Sequence, residues 1–186
     1  MTGHGLESGV LMIMAQMAVR TLLTNNLNNS IQFLNVLNQA IYGNLRRMKS
    51  SKNMTIAILD YQDGVLKLSG QHEEMIVVRS DGKIERIDTL DLGFPIGLME
   101  DITNLVAATE VQLYPGDVVI LYTDGITEAI DLNQVQYGLE RLIEVVRENF
   151  DKAAIEIKQA VIDDVRRHIG NQKVYDDITL LVIKQR

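Results

Sequence analysis

The chain contains no cysteine. That excludes a disulfide framework and a cysteine-ligated zinc site, and it is compatible with a reducing compartment. Positive charge is also scarce: 18 Lys and Arg face 25 Asp and Glu, a net charge of −7, which argues against a general nucleic-acid surface. No Lys or Arg precedes Arg20, so the basic n-region of a signal peptide is missing. The apolar run Gly9–Ala15 is too short to span a membrane and gives way to Gln16 and Arg20. No internal repeat, low-complexity tract or linker interrupts the sequence, which reads as a single domain over residues 1–186. What remains is a globular mix, 46% hydrophobic and 23% charged, enough for one real core. These features predict a cytoplasmic protein with neither nucleic acid nor membrane among its partners.

Apolar spacing then orders the chain. Val10, Leu11, Met14, Met17, Ala18 and Leu22 recur at helical intervals over residues 7–24, with methionines suiting an adaptable packing face. Polar turn formers at Asn25–Asn29 end that pattern. Ile31, Leu34, Leu37, Ile41 and Leu45 mark a second helix. Its end carries Arg46, Arg47, Lys49 and Lys52, which complement the helix dipole or form a docking patch for an acidic partner. From Met54 the period becomes two. Thr55–Tyr61 and Val65–Ser69 are joined across Gln62-Asp63-Gly64, and Met75–Arg79 and Lys83–Ile87 across Ser80-Asp81-Gly82, both hairpin signals. Consecutive hairpins predict an antiparallel meander. Val106–Leu113 is a further strand, and the turn Tyr114–Asp117 follows it. The continuous β-forming run Val118–Tyr122 reads as a central strand. Gly138–Asn149 and Ala153–His168 are amphipathic, and Ile178–Ile183 closes the chain. The expected class is α+β, helices outside antiparallel sheets.

Three segments draw attention for chemistry. Asp124 ends an apolar strand, and Gly125 after it lets backbone pass close to a ligand. Asp176 and Asp177 open another apolar strand. Carboxylates at strand ends are held by a rigid sheet, and oxygen-only ligands suit Mg2+ or Mn2+ rather than zinc. The plainer reading makes Asp124-Gly125 a turn and Asp176-Asp177 a strand cap. Spacing alone does not join them into one site. His4, between two glycines, has the chemistry for proton transfer, or is a frayed end. His72, Glu73 and Glu74 read as a solvated strand start, and His168 as a helix-end cation.

Taken in order, these segments resemble the metal-dependent (PPM, type 2C-like) serine/threonine protein phosphatases, in their sporulation-stage-II-E-like bacterial branch. Thr2-Gly3-His4-Gly5 is similar to the end of that branch's Asp-Val-Thr-Gly-His-Gly motif. Ser69-Gly70-Gln71-His72 resembles its Ala-Gly-His segment with Gln71 inserted. Gly93-Phe94-Pro95-Ile96-Gly97 resembles its Gly-x-Pro-Leu-Gly turn. The most specific match runs from Leu113-Tyr114-Pro115-Gly116-Asp117 through Tyr122-Thr123-Asp124-Gly125-Ile126-Thr127-Glu128-Ala129. Tyr137-Gly138-Leu139-Glu140-Arg141-Leu142 and Asp176-Asp177-Ile178-Thr179 complete the set. Six motifs in order cover nearly the whole chain.

The resemblance implies an antiparallel β-sandwich flanked by helical layers, and hydrolysis of phosphoserine or phosphothreonine at a pair of Mn2+ or Mg2+ ions. Two such ions stabilise attacking and leaving oxygens together. Carried over by motif, Asp124 and Asp176 are metal ligands, Asp177 a ligand or an orienting group, and the Met1 carbonyl a backbone ligand. His4 is the candidate acid for the leaving oxygen, or a group that orients a metal ligand. The family pattern also places a metal-bridging Asp immediately before the Met1 position, on strands that this sequence lacks. A fragment or a late start is therefore the expectation, with weak or no activity for this chain alone and an unpaired sheet edge that favours a homodimer. The implied substrate is a phosphoprotein, an anti-sigma-factor antagonist, and the implied context is an upstream sensor or receiver domain. A non-catalytic phosphatase-fold interaction module and a small-phosphoester hydrolase are the competing readings.

Overall fold

A computed structural model gives the fold and describes residues 5–186; Met1, Thr2, Gly3 and His4 lie outside the described residues. In chain order the first elements are α1 Leu6–Thr24, α2 Ser30–Met48, β1 Ile58–Gln62, β2 Val65–Ser69, β3 Met75–Val78 and β4 Ile84–Ile87. They are followed by β5 Ala108–Gln112, β6 Val118–Tyr122, α3 Asp124–Thr127, α4 Leu139–Asn149, α5 Ala154–Ile169 and β7 Leu180–Lys184. Two compact units share the chain. The first takes the residues up to His72 together with Thr89–Gln112, and the second takes Glu73–Asp88 and Leu113–Arg186.

In the first unit the side chain of Asn29 accepts the Gln32 N–H at 2.9 Å and starts α2, filling one of the orphan donors of a helix N-terminus. Leu11 and Ala15 of α1 are buried with Phe33, Leu34, Leu37, Ile41 and Leu45 of α2. Met17, expected on the packing face, is 60% exposed, because the buried stripe runs through Leu11 and Ala15. By length and composition α1 is apolar enough to cross a membrane, with a mean hydropathy of 1.3. The run Gly9–Ala15 therefore understated it: the single charges Glu7 and Arg20 do not interrupt the whole helix. Asn38 on α2 is buried, and its use is local. Its side chain accepts the Gly97 N–H at 2.9 Å and donates to the carbonyls of Met99 and Glu100 at 3.1 Å, which pins the Gly93–Gly97 turn to the helix.

The sheet of this unit has the order β1-β2-β5, antiparallel throughout. Asp63 and Gly64 at the hairpin tip both have positive φ, 48° and 85°, the pattern of the tight turn whose twist matches the strands. The sheet of the second unit has the order β4-β3-β6-β7, also antiparallel. The antiparallel hairpins are divided between two sheets: β2 pairs with β5, and β3 pairs with β6. Turn chemistry fixes only neighbouring strands, and distant pairings follow burial. β6 lies inside its sheet, as its apolar run predicts, and all four residues of β3 are buried.

Helices α4 and α5 contribute Leu142, Val146, Ile157, Val161, Val165 and Ile169 to the second unit's core, packed with Ile76, Val78, Val118 and Ile120 from the sheet. At the turn before β6, buried Asp117 accepts from Arg79 Nη1 at 2.7 Å and from the Ser80 and Tyr114 N–H groups at 2.9 and 3.0 Å. Those bonds outweigh burial and hold the Asp117 carboxyl below its ordinary range. The architecture is α+β, with antiparallel sheets and accompanying helices, as expected.

Candidate functional site

The polypeptide leaves β6 at Tyr122 and turns at once into α3. Thr123 serves both the turn and its neighbour. Its N–H donates to the Thr179 carbonyl at 3.2 Å, its hydroxyl donates to the Asp177 carbonyl at 3.0 Å, and that same oxygen accepts the Thr179 N–H at 3.1 Å. The segment leading into β7 is therefore latched to the end of β6. Gly125 makes the approach possible. A Cβ there would lie 2.9 Å from the carbonyl carbon of Asp177 and closer still to its oxygen, which no side chain tolerates. The motifs Thr-Asp-Gly and Asp-Asp-x-Thr, which spacing could not connect, meet at this contact.

The carboxylates that result are poor in partners. One oxygen of Asp124 accepts the Gly125 N–H at 2.9 Å, and one oxygen of Asp176 accepts the Asp177 N–H at 2.7 Å. Among the described residues, the other oxygens of these groups and the Asp177 side chain have no hydrogen bond or ion pair. Short Asx-type bonds of this kind orient a carboxylate and leave lone pairs available.

Glu73 belongs to the same surroundings. Burial, and then the negative charge of Asp124, Glu128 and Glu74, raise the proton affinity of its carboxyl. It is not the solvated strand start that the sequence suggests. The ladder Ile76↔Ile120, Val77↔Val119, Val78↔Val118, continued backwards, brings Glu74 level with Tyr122 and Glu73 level with Thr123. A signal was present, two acidic residues directly before a buried strand, but it gains meaning only from the pairing of β3 with β6. Glu74 is committed elsewhere, holding Arg86 through two bonds of 2.7 Å. Burial and these two glutamates also push the Tyr122 hydroxyl well above its ordinary range, so it stays protonated.

Beside Asp176 is a cavity of about 170 Å³, bounded by Glu128, Ala129, Ile130, Ile169, Lys173 and Tyr175. Lys173 lies over the Tyr175 ring, 5.8 Å from its centroid. On the far side of the loop, His168 uses both ring nitrogens: Nδ1 is 3.1 Å from Arg141 Nη1 and Nε2 is 2.9 Å from the Val135 carbonyl. A guanidinium only donates, so Nδ1 accepts and Nε2 carries the proton. The helix-dipole reading of His168 is thereby supplemented by two specific contacts.

A hard divalent cation fits this donor chemistry. The groups are carboxylates, and several of their oxygens lack partners among the described residues. Among the described residues, however, no three Asp, Glu, His or Cys side chains converge as a ligand group. The expected contributions of Met1 and His4 fall outside the described residues.

Set against known proteins, the fold is that of the PP2C-type phosphatase domain. The SiaA PP2C domain of Pseudomonas aeruginosa superposes with a TM-score of 0.80 at 21% identity, covering 100% of this chain and 73% of that one. The catalytic domain of the serine/threonine phosphatase PstP, solved with two manganese ions, gives 0.61 at 16% identity over 90% of this chain and 79% of its own. At such identities the likeness establishes the fold. The family model for stage II sporulation protein E (SpoIIE) matches residues 1–186, and the chain belongs to that family. It is a PPM-type, SpoIIE-like phosphatase domain. Protein IcfG of Synechocystis sp. is 27% identical over 157 residues, which is 82% of this chain and 24% of IcfG. The chain thus spans about a quarter of the curated relative that it matches.

Proposed function

We propose that this domain is a cytoplasmic Mn2+- or Mg2+-dependent hydrolase of phosphoserine or phosphothreonine in a protein substrate. The observation that supports this reading best is the latch around Gly125. It brings the Asp176-Asp177 backbone onto the turn that carries Asp124, with carboxylate oxygens left over. In this reading Asp124 and Asp176 hold the cation, with Asp177 beside them. His4 protonates the leaving oxygen, and the Met1 carbonyl completes the set. Bound there, the ions supply Lewis-acid stabilisation of phosphoryl charge. The protein's own share is positional. Thr123 holds the two segments in register, and Glu73 adds negative charge that favours a cation over an empty site.

The substrate that we favour is a phosphorylated anti-sigma-factor antagonist, presented in a longer signalling protein that carries a sensor or receiver domain. Manganese titration by calorimetry, together with phosphate release from a phosphoserine peptide, tests the reading. Asp124→Asn and Asp176→Asn are expected to weaken manganese binding and to lower whatever turnover the parent chain shows. A second reading, a phosphatase-fold interaction module without catalysis, draws on the lack of a three-ligand group among the described residues. It prevails if neither the parent nor the variants bind manganese.

A further inference from the structure

A basic groove on the first unit stands apart from this chemistry. Arg46, Arg47, Lys49 and Lys52 gather four of the chain's 18 Lys and Arg into one short stretch. Arg46 and Lys49 line a groove of about 520 Å³ together with Tyr42, Leu45, Ser51 and Leu98. A helix C-terminus accounts for a cation in its last turn, which explains Arg46 and Arg47. Arg47 is further tied to the side chain of Asn44. Lys49 is different. It ends α2 in the left-handed conformation, φ 53° and ψ 33°, where glycine is favoured and an L side chain is resisted. The cap itself needs only backbone: the Lys49 N–H reaches the Arg46 carbonyl at 3.2 Å and the Ser50 N–H the Leu45 carbonyl at 3.0 Å. The strained position thus carries an ammonium that the cap does not use, and stored strain of this kind points to a site.

Among the described residues the cations form no ion pair of their own: neither Arg46 nor Lys49 has a carboxylate within ion-pair distance. Glu7 is engaged by the Ser50 hydroxyl at 3.1 Å. Glu100 borders a second cavity that Tyr42 and Arg46 also line. Arg46 stands 5.9 Å from the Tyr42 ring centroid, a stacking that orients the guanidinium at little cost. Leu98, 50% exposed, supplies an apolar wall.

We propose that this groove binds an acidic segment of a partner protein, with carboxylates on Arg46 and Lys49 and an apolar side chain against Tyr42 and Leu98. Charge complementarity selects this occupant. A net charge of −7 repels extended polyanions such as nucleic acid or an anionic bilayer, while a short segment meets only the local cations.

Fluorescence anisotropy of a short fluorescein-labelled peptide rich in Glu and Leu, titrated with the full chain, tests the proposal. Lys49→Gly is the informative variant, because it suits the left-handed cap and leaves the fold at least as stable. It is expected to weaken the peptide about fivefold, the worth of about one solvent-exposed ion pair. Arg46→Gln combined with it weakens the peptide about twentyfold, the worth of about two exposed ion pairs, and Lys49→Arg restores binding. The proposal is overturned if the parent fails to bind the peptide, or if Lys49→Gly binds it like the parent. Equal binding of a Gln- and Leu-rich control, or tighter binding of phosphatidylserine vesicles or an RNA oligonucleotide, overturns it as well.

Discussion

Helices α1 and α5 are of similar length, 19 and 16 residues, but they are held in different ways. In α5 the apolar residues Ile157, Val161, Val165 and Ile169 fall at every fourth position and are buried, and the rest of the helix is mostly polar, with Ile155 an exposed exception. In α1 apolar residues occur all round. Leu11 and Ala15 are buried, while Leu6, Met12, Ile13, Met17 and Leu23 are exposed. The contrast separates composition from spacing. Apolar content lets α1 pass a length-and-composition test for crossing a bilayer, yet only periodicity tells which side chains a globular core takes up. α5 also carries Asp164, which accepts from Tyr137, Arg141 and Arg167. On α1, Glu7 accepts a single bond from the Ser50 hydroxyl at 3.1 Å.

The sharpest way to break the comparison is to empty the core beneath α5. Leu142→Ala, at a fully buried position of α4, is expected to cost about 2–5 kcal/mol in urea unfolding. Gly125→Ala drives a Cβ into the Asp177 backbone and is expected to cost about 1–3 kcal/mol. It should also weaken manganese binding in calorimetry, which a defect confined to the core would not do.

Asp164→Asn ranks next, at about 1–3 kcal/mol near neutral pH. The Arg141 hydrogen bond lowers the Asp164 carboxyl below its ordinary 3.8, with burial opposing and Tyr137 assisting. A lowered native value means stability that is fully present above 3.8 and lost as pH falls through the lowered native value. The gap between parent and variant should therefore close in acid; a gap that does not change with pH would show that Asp164 acts through packing.

Glu73→Gln has the opposite sign. Burial and the charges of Asp124, Glu128 and Glu74 raise its carboxyl above 4.5. The stability from its protonated form is present below that value and lost as pH rises through the raised native one. The variant is expected to be more stable than the parent at neutral pH by about 0.5–1 kcal/mol and equal to it in acid. A destabilised variant at neutral pH would mean that Glu73 has a cationic partner. The smallest effect is expected on α1, where Ile13→Gln, at a position 56% exposed, should stay within about 0.5 kcal/mol. A larger loss would show that this face is covered in solution.

Much of this was legible in the residues. The run Val118–Tyr122 was read as a central strand with the boundaries that β6 has, because a continuous β-branched run needs burial on both faces. The hairpins at Asp63-Gly64 and Gly82 followed from turn chemistry. The two helices after Gly138 followed from their spacing. The family likeness was carried by ordered motifs. Sheet membership was not legible, nor was the role of Glu73, because both depend on pairings between residues far apart in the chain.

By itself, the sequence determined the local elements, their turns and the family, because propensity, periodicity and motif order act over a few residues at a time. Only the tertiary structure decided that Thr123 and Gly125 bring Asp124 to Asp176, that Glu73 joins them, and that Arg46 and Lys49 share a groove with Leu98. The physical reason is that such proximity is set by burial and backbone register over long separations, where no single residue carries the signal.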